Sequence, residues 1–150
     1  QHDNAYLTEL HQLFMQKVIR PQMRPKGFEA IKKHQDLGHA IVGITATSDF
    51  ITAPIFREFG ITEIITTNAE VLNGKYTGKV TGVACYQQGK LTRLDQWLAG
   101  RDVEESWAYS DSINDRFLLE YATHAIAVNP DDRLEKLAHA QHWDIQDWSI

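Results

Sequence analysis

The stretch "AYSDSINDRFLL", residues 108–119, places two aspartates at the junction between a predicted strand and a predicted helix. Asp111 and Asp115 are four residues apart, with Asn114 between them. They follow "SWAYS" (106–110), which is strand-like, and precede "RFLLEYA" (116–122), which is helix-like. A helix start needs only one side chain that accepts from the backbone. The additional carboxylate and amide therefore indicate a binding site at this junction.

Strand-like and helix-like segments alternate on both sides of the junction. Short apolar runs, typical of strands buried on both faces, are 40–45, 62–67 and 124–129, with a short final strand at 143–148. Helical spacing of apolar residues and helix-ending signals predict helices over 5–19, 26–37, 49–60, 89–99, 114–122 and 131–141. Asn73-Gly74 predicts the turn of a small β-hairpin. The alternation predicts an α/β, Rossmann-like, doubly wound fold with a mainly parallel sheet and a hairpin flap.

Composition narrows the classes of function. The 150 residues include 15 basic and 20 acidic side chains, a net charge of −5, which argues against a non-specific nucleic-acid binder. No apolar run approaches the length of about 20 residues that spans a membrane. The single cysteine, Cys85, cannot form an internal disulfide and fits a reducing compartment. We therefore expect a cytoplasmic protein with neither nucleic-acid nor membrane partners.

Polar residues at the ends of the predicted strands are the candidates for a site, since ligands of such folds bind beyond the carboxyl ends of the strands. Thr45 follows "AIVGI", Asp111 follows "SWAYS", and Lys90 begins a helix just past the hairpin. A carboxylate suits Mg²⁺, which takes oxygen ligands from one or two carboxylates, waters and phosphate. Asn114 and Asp115 could orient water, lysine or phosphate beside it. A hydroxyl and an ammonium complete a phosphate site, and the combination indicates phosphoryl transfer.

Each candidate also has an ordinary structural explanation. Ser48 or Asp49 could simply cap a helix, and Thr45 could do so less readily. Lys90 could be a solvated surface lysine, although a helix N-terminus disfavours a cation. Asp115 could be a first-turn helix acid. Asp111 is harder to explain in this way, because no helix has begun at its position.

Three segments together resemble the haloacid dehalogenase superfamily. "ITAT" (44–47), "QQGKLTRL" (87–94) and "SDSINDRFLL" (110–119) are similar to its motifs two, three and four. The closer resemblance is to the phosphoserine-phosphatase-like branch, subfamily IB, which "NGKYTGKVTG" (73–82) and "AVNPDDRLEKLAHAQHWDI" (127–145) also resemble. The resemblance covers nearly the whole chain from Pro25 onward, in the expected order and spacing.

The resemblance implies a role for each matching residue. Thr45 would hydrogen-bond the transferring phosphoryl group, and Lys90 would neutralise the phosphate and the nucleophile. Asp111 would be a Mg²⁺ ligand. Ala46, Asn114 and Asp115 would lie beside the phosphate or support the residues that bind it. The branch also implies an aspartyl-phosphate that water hydrolyses.

Two features depart from the family pattern. Ser110 stands where motif four often has glycine. The DxDx[TV] motif of the first strand, which carries the nucleophile, is absent: Asp3 is the only early aspartate, and it follows no apolar strand. That strand would lie between the strands of Thr45 and Asp111. We therefore expect the chain to be the C-terminal portion of a longer phosphatase, inactive alone, with 1–24 as the end of a helical cap and 25–150 as the core lacking its first strand.

The leading hypothesis is a Mg²⁺-dependent hydrolase of a small phosphorylated metabolite, such as phosphoserine or histidinol phosphate. The main alternative is a non-catalytic module that binds Mg²⁺ and phosphate, or a partner protein. The missing N-terminal segment and a second copy of the chain are the candidate protein partners. The seven histidines follow no familiar zinc spacing, and Cys85 has no pattern typical of a nucleophile.

Overall fold

The computed structural model describes residues 4–73 and 75–150. The α-helices are α1 (Asn4–Phe14), α2 (Pro25–Asp36), α3 (Asp49–Glu58), α4 (Gln88–Leu98), α5 (Arg116–Tyr121) and α6 (Asp132–Gln141). The strands are β1 (Val42–Ser48), β2 (Glu63–Leu72), β3 (Lys75–Thr81), β4 (Trp107–Ser110), β5 (His124–Val128) and β6 (Asp144–Gln146). Helices and strands alternate along most of the chain, so the predicted α/β class is confirmed.

The first helical segment changes its winding before it ends. α1 is followed by a π-helical turn over Met15–Ile19 and a 3₁₀ turn over Arg20–Gln22. The backbone then becomes extended at Arg24, the residue before Pro25, because the proline ring disfavours a helical conformation there. The prediction of a helix over 5–19 is therefore right about helical structure, although only the part up to Phe14 is an α-helix.

β1 is longer than predicted. The apolar run ends at Thr45, but the strand continues to Ser48. Threonine is β-branched and favours strands, so Thr45 and Thr47 extend the strand beyond its apolar part. Thr45 consequently lies inside β1, and the prediction that it stands at the strand end is wrong.

The predicted hairpin is present and belongs to the first sheet. β2 pairs with β3 in antiparallel fashion, with Leu72 opposite Lys75 and an irregularity between Ala69 and Val71. Asn73 has φ 52°, a left-handed conformation suited to such a turn. Gly74, the other predicted turn residue, lies outside the described residues. The strand predicted over 62–67 and the first hairpin strand are one continuous strand, β2.

A second sheet and the helices against it hold a cluster of buried apolar side chains. β4, β5 and β6 run parallel in that order. α5 and α6 bury Leu119 and Leu134 against β5, where Ala127 is fully buried. This packing fixes the end of β4 and the loop that follows it.

The described strands form two three-stranded sheets, β1-β2-β3 and β4-β5-β6. β1 carries Thr45 and β4 leads to Asp111, and each lies at an edge of its sheet. Each of these strands therefore has one side without a strand partner among residues 4–73 and 75–150. The sequence predicts unpaired edges on these same two strands.

Contacts along the chain define two compact units. One comprises the chain up to Gly43, Phe50–Ile64 and Ile150, and the other comprises Ile44–Asp49 and Ile65–Ser149. In the first unit, the rings of Phe28 and Phe59 pack with centroids 4.5 Å apart. The second unit contains every predicted site residue. The predicted boundary between a cap and a core at residues 24 and 25 stays a prediction. Across the described residues, every helix is too short or too polar to traverse a lipid bilayer.

Candidate active site

The loop between β4 and α5 begins with the carboxylate of Asp111. The Asp111 side chain is exposed, and it makes no hydrogen bond or ion pair with any residue in the described ranges. Its backbone oxygen accepts a hydrogen bond of 2.8 Å from the backbone N–H of Asp131. A 3₁₀ turn follows over Ile113–Asp115, and the Ser112 hydroxyl caps it by accepting from the Asn114 N–H. The backbone is therefore held in place while the carboxylate stays available to a ligand.

Lys90 and Asp115 form an ion pair in the interior of the second unit. The Nζ atom of Lys90 donates to Oδ1 of Asp115 at 2.5 Å, and the two side chains are 9% and 17% exposed. The Ser110 hydroxyl donates to the other carboxylate oxygen, Oδ2, at 2.8 Å. Both oxygens of Asp115 are thus occupied. The solvated-lysine explanation is wrong, and the Asp115 side chain does not cap α5.

The tight loop before α4 places Lys90 beside Asp115. Gly89 approaches the backbone of Ala84 so closely that a Cβ atom there would lie 2.2 Å from the Ala84 oxygen. Gln87 has φ 46° and ψ −121°, a conformation that is strained for a residue with a side chain. The hydroxyl of Tyr86 donates to Oδ1 of Asn114 at 3.4 Å. The first turn of α4 and the loop before it therefore contact the loop after β4, through Lys90 and Tyr86 respectively.

Cys85 connects this network to Thr45. The Cys85 side chain is fully buried, and its thiol donates to the backbone oxygen of Ile65 at 3.7 Å. Burial raises the pKa of the Cys85 thiol above its ordinary value, while the charges of Lys90 and Arg93 and a hydrogen bond with the Thr45 backbone oppose the rise. The thiol therefore lies beside Thr45 and within the field of Lys90. A buried thiol with a raised pKa also argues against a cysteine nucleophile.

β1 presents the remaining predicted residues. The Thr45 side chain is half-buried, and its hydroxyl accepts from the Thr47 N–H at 3.2 Å. Ala46 is exposed on the same strand. The structure thus joins Lys90 and Asp115 by an ion pair, links Asn114 to the loop before α4 through Tyr86, and reaches Thr45 through Cys85. Within the described ranges, the Asp111 side chain makes no hydrogen bond or ion pair with any of these residues.

Asp131 is a site neighbour that the sequence did not reveal. Its Oδ2 atom accepts from the Ile113 N–H at 2.9 Å, and its Oδ1 atom accepts from the N–H groups of Arg133 and Leu134. The hydrogen bond from Ile113, followed by that from Leu134, holds the pKa of Asp131 below its ordinary value. The "NPDD" sequence before α6 signals a helix cap, but nothing in it signals the contact with residue 113.

The carboxylates of the candidate site fit Mg²⁺ better than zinc. In the described part of the chain, no three His, Cys, Asp or Glu side chains form a group that could hold a metal. A zinc site needs three or four such ligands. Mg²⁺ is held by one or two carboxylates, with water and phosphate oxygens completing its shell. Asp111 supplies one exposed carboxylate, and it therefore fits a magnesium ion shared with a phosphate.

Comparison with known proteins gives three strong similarities. The chain is 39% identical over 145 residues to a histidinol-phosphatase of Neisseria meningitidis serogroup C, covering 93% of this chain and 65% of that protein. It is 32% identical over 148 residues to a phosphoserine phosphatase of Mycobacterium tuberculosis, covering 97% of this chain and 48% of that protein. A crystal structure of a Bordetella pertussis Tohama I protein with unknown function matches with a TM-score of 0.92 and 39% identity, covering 98% of this chain and 68% of that one. The chain thus spans about half to two thirds of the length of these two curated relatives.

The family assignment rests on the match to a family model. Residues 1–120 match the family model described as haloacid dehalogenase-like hydrolase. The segments that resemble motifs two, three and four of that family lie within these residues. The chain therefore belongs to the haloacid dehalogenase-like hydrolase family and is related to its phosphatases.

Proposed function

We propose that this chain is part of a Mg²⁺-dependent phosphomonoester hydrolase that acts on a small phosphorylated metabolite. The observation that carries the proposal is the buried Lys90, held by Asp115 at the start of α4. Burying an ammonium at a helix N-terminus is unfavourable without a strong partner. A site that must neutralise a dianionic phosphate explains why the chain keeps such a group.

Each residue has a part in the proposed reaction. Lys90 neutralises the negative charge on the phosphoryl group and on the attacking carboxylate, and Thr45 hydrogen-bonds a phosphoryl oxygen. Asp115 holds the ammonium group of Lys90 in position, and Asn114 helps to orient the phosphate. Asp111 holds Mg²⁺, which supplies further neutralisation of the phosphate oxygens. Ala46, next to Thr45, lies beside the phosphate, and its small methyl side chain leaves room for it.

The proposed covalent step uses a carboxylate of the family's first-strand motif, which this chain does not contain. That carboxylate attacks phosphorus, the bond between phosphorus and the ester oxygen breaks, and the acid/base partner in the same motif gives a proton to that oxygen, so that the substrate leaves as an alcohol. Water then attacks the aspartyl-phosphate, which releases inorganic phosphate and restores the carboxylate. The proposed reaction therefore needs a protein that carries this motif as well as residues 1–150, which agrees with the greater length of the two curated relatives.

The substrate class follows from the names of the two relatives. One is a histidinol-phosphatase and the other a phosphoserine phosphatase. Both of these substrates are phosphate esters of primary alcohols that carry an amine close to the ester. We propose a phosphorylated amino alcohol of this kind as the substrate. A non-catalytic module that binds Mg²⁺ and phosphate is the alternative, favoured by the absence of the nucleophile motif.

Phosphatase activity of the full-length protein tests the proposal. Asp111→Asn should lower Mg²⁺-dependent hydrolysis of p-nitrophenyl phosphate at least about 100-fold, because the ligand loses its charge. Asp102→Asn, a matched change in an exposed loop, should leave the rate unchanged. Full activity in Asp111→Asn removes Asp111 from the metal role. A full-length protein that binds Mg²⁺ and phosphate without turnover supports the alternative.

A further inference from the structure

We infer that Asp131 is a positioning residue that holds the β4–α5 loop, residues 111–115, in the conformation in which Asp111 receives its metal ion. The inference rests on the proposed function, and it concerns a residue outside motifs two, three and four, in the segment 127–145 for which the resemblance assigns no residue a role. Asp131 itself does not contact the metal in this account. It acts through the backbone of the loop.

Asp131 makes two hydrogen bonds to the loop. Its backbone N–H donates to the backbone oxygen of Asp111 at 2.8 Å, and its Oδ2 atom accepts from the N–H of Ile113 at 2.9 Å. These two hydrogen bonds lie on either side of Ser112. They fix the peptide groups that flank Ser112 and therefore the direction in which the chain leaves Asp111.

The same carboxylate fastens the loop to the core. Its Oδ1 atom accepts from the N–H groups of Arg133 and Leu134, at 3.0 and 2.9 Å, which caps α6. α6 is anchored in turn by Leu134 and Ala138, both fully buried. The position of the Asp111 backbone is therefore tied to the hydrophobic core through one side chain.

A carboxylate is needed for this double contact. An ionised aspartate accepts through both oxygens, whereas an asparagine has one accepting oxygen and an NH₂ group that only donates. At position 131, asparagine could accept from the first N–H groups of α6 or from Ile113, but not from both. Because asparagine is among the best helix caps, we expect it to keep the cap and release the loop.

Loss of the loop contact should weaken metal binding more than it weakens the fold. Residues that orient a metal ligand typically contribute about 10- to 100-fold to metal affinity. A loop that is free to relax places the Asp111 carboxylate in several directions, and only one of them suits the ion and its phosphate. The expected signature is a lower metal affinity with α6 intact.

Binding of Mn²⁺, used as the probe for the magnesium site, tests the inference in the full-length protein with inorganic phosphate present. Asp131→Asn should weaken Mn²⁺ binding about 10- to 100-fold, measured by electron paramagnetic resonance of free Mn²⁺. Asp132→Asn is the matched control, since it removes the same charge from the first turn of the same helix without contacting the loop. We expect that control to bind Mn²⁺ within about twofold of the wild type, because a single first-turn charge contributes little.

A second variant removes the same hydrogen bond by deleting its donor, the Ile113 N–H, instead of its acceptor, the Asp131 carboxylate. Ile113→Pro deletes the N–H that donates to Asp131 and leaves the α6 cap untouched. Because the Ile113 side chain packs against the core, Ile113→Ala is its control: it loses the same packing and keeps the N–H. Residue 113 is the first residue of the 3₁₀ turn, where proline is tolerated, and Ser112 before it is already extended at φ −121° and ψ 137°. Mn²⁺ affinity should fall in this variant as it does in Asp131→Asn.

Amide hydrogen exchange of the metal-free protein separates positioning from general destabilisation. In Asp131→Asn, the Ile113 amide should exchange faster than in Asp132→Asn, while the α6 amides stay protected in both. If Asp111→Asn abolishes Mn²⁺ binding but Asp131→Asn binds Mn²⁺ with wild-type affinity, the inference is wrong. The inference is also wrong if Asp131→Asn loses both its Mn²⁺ affinity and the protection of the α6 amides, because the effect is then general destabilisation. If Asp111→Asn binds Mn²⁺ as tightly as the wild type, the metal role of Asp111 fails and the inference fails with it.

Discussion

At the scale of single residues, the ion pair between Lys90 and Asp115 distinguishes this site from an ordinary helix start. A buried pair contributes little net stability compared with apolar residues, but breaking it leaves a buried charge without a partner. Its presence in the interior therefore indicates a role other than stability. The proposed role is neutralisation of phosphate.

Replacement of the buried lysine should be costly to the fold. Lys90→Met leaves the Asp115 carboxylate uncompensated, so we expect the free energy of unfolding to fall by about 3–5 kcal/mol. Urea denaturation measures this change. Lys32→Met is the control, because its ion pair with Asp36 is exposed at 73% and 63%, and such pairs contribute about 0–1 kcal/mol. Equal effects of the two substitutions would show that the Lys90 pair is solvated.

Ser110 is the residue that departs from the family pattern, and its hydroxyl has a definite partner. Ser110→Ala removes the donor to Oδ2 of Asp115, so we expect a loss of about 1–3 kcal/mol in the free energy of unfolding. Ser110→Thr keeps a hydroxyl and should recover part of the loss. Urea denaturation of both variants is the measurement, and an alanine variant as stable as the wild type would show that this hydrogen bond contributes nothing.

The sequence indicated which charged residues are candidates for the site, but not which residues they contact. Lys90, Asp111 and Asp115 were identifiable because their charges stand at strand ends and helix starts. Asp131 and Tyr86 were not, since each acts on a loop far away in sequence: residue 131 binds 113, and residue 86 binds 114. Such pairings depend on tertiary structure, which no local pattern encodes.

At the scale of secondary-structure elements, apolar runs located the strands but not their ends. β1 continues three residues past the apolar run because threonine also favours an extended backbone. β2 likewise continues past the predicted end at residue 67, up to the hairpin turn after Leu72. The helices were predicted closely wherever proline, glycine or a capping side chain marks an end, as at Pro25 and Gly38.

The end of α2 contains a buried histidine, His34, that we expect to make the stability of the fold depend on pH. His34 is 9% exposed, and its Nδ1 atom lies 2.9 Å from Nδ1 of His39. Burial, followed by the charges of His39 and Lys33, lowers the pKa of His34 below its ordinary value. The folded protein thus binds a proton at His34 less readily than the unfolded chain does. The stability from neutral His34 is complete above about pH 6.5 and declines as the pH falls toward the lowered value.

Urea denaturation between pH 7.5 and 5.5 measures this dependence. The wild type should lose stability across the interval, and His34→Gln should lose less because it cannot take up the proton. His139→Gln, at an exposed position of α6, should behave as the wild type does. The same pH dependence in all three proteins would exclude His34 as the source.

At the scale of the whole molecule, the two three-stranded sheets are the feature most closely related to function. β1 and β4, the strands that lead to Thr45 and Asp111, are both edge strands among the described residues. An edge strand leaves a row of backbone hydrogen-bonding groups available to another strand. The family resemblance predicts that the strand with the nucleophile belongs between them, and the curated relatives are longer than this chain. The fold class was predictable because alternation of elements is a pattern of the chain itself.

Crystals of the protein soaked with Mn²⁺ and inorganic phosphate give the most direct test of the central claim. Anomalous scattering locates Mn²⁺ without reference to any assumed site. We predict an anomalous peak bound to the Asp111 carboxylate, with a phosphate ion beside it that contacts Nζ of Lys90 and the hydroxyl of Thr45. A peak away from Asp111, or a phosphate that touches neither Lys90 nor Thr45, would contradict the account.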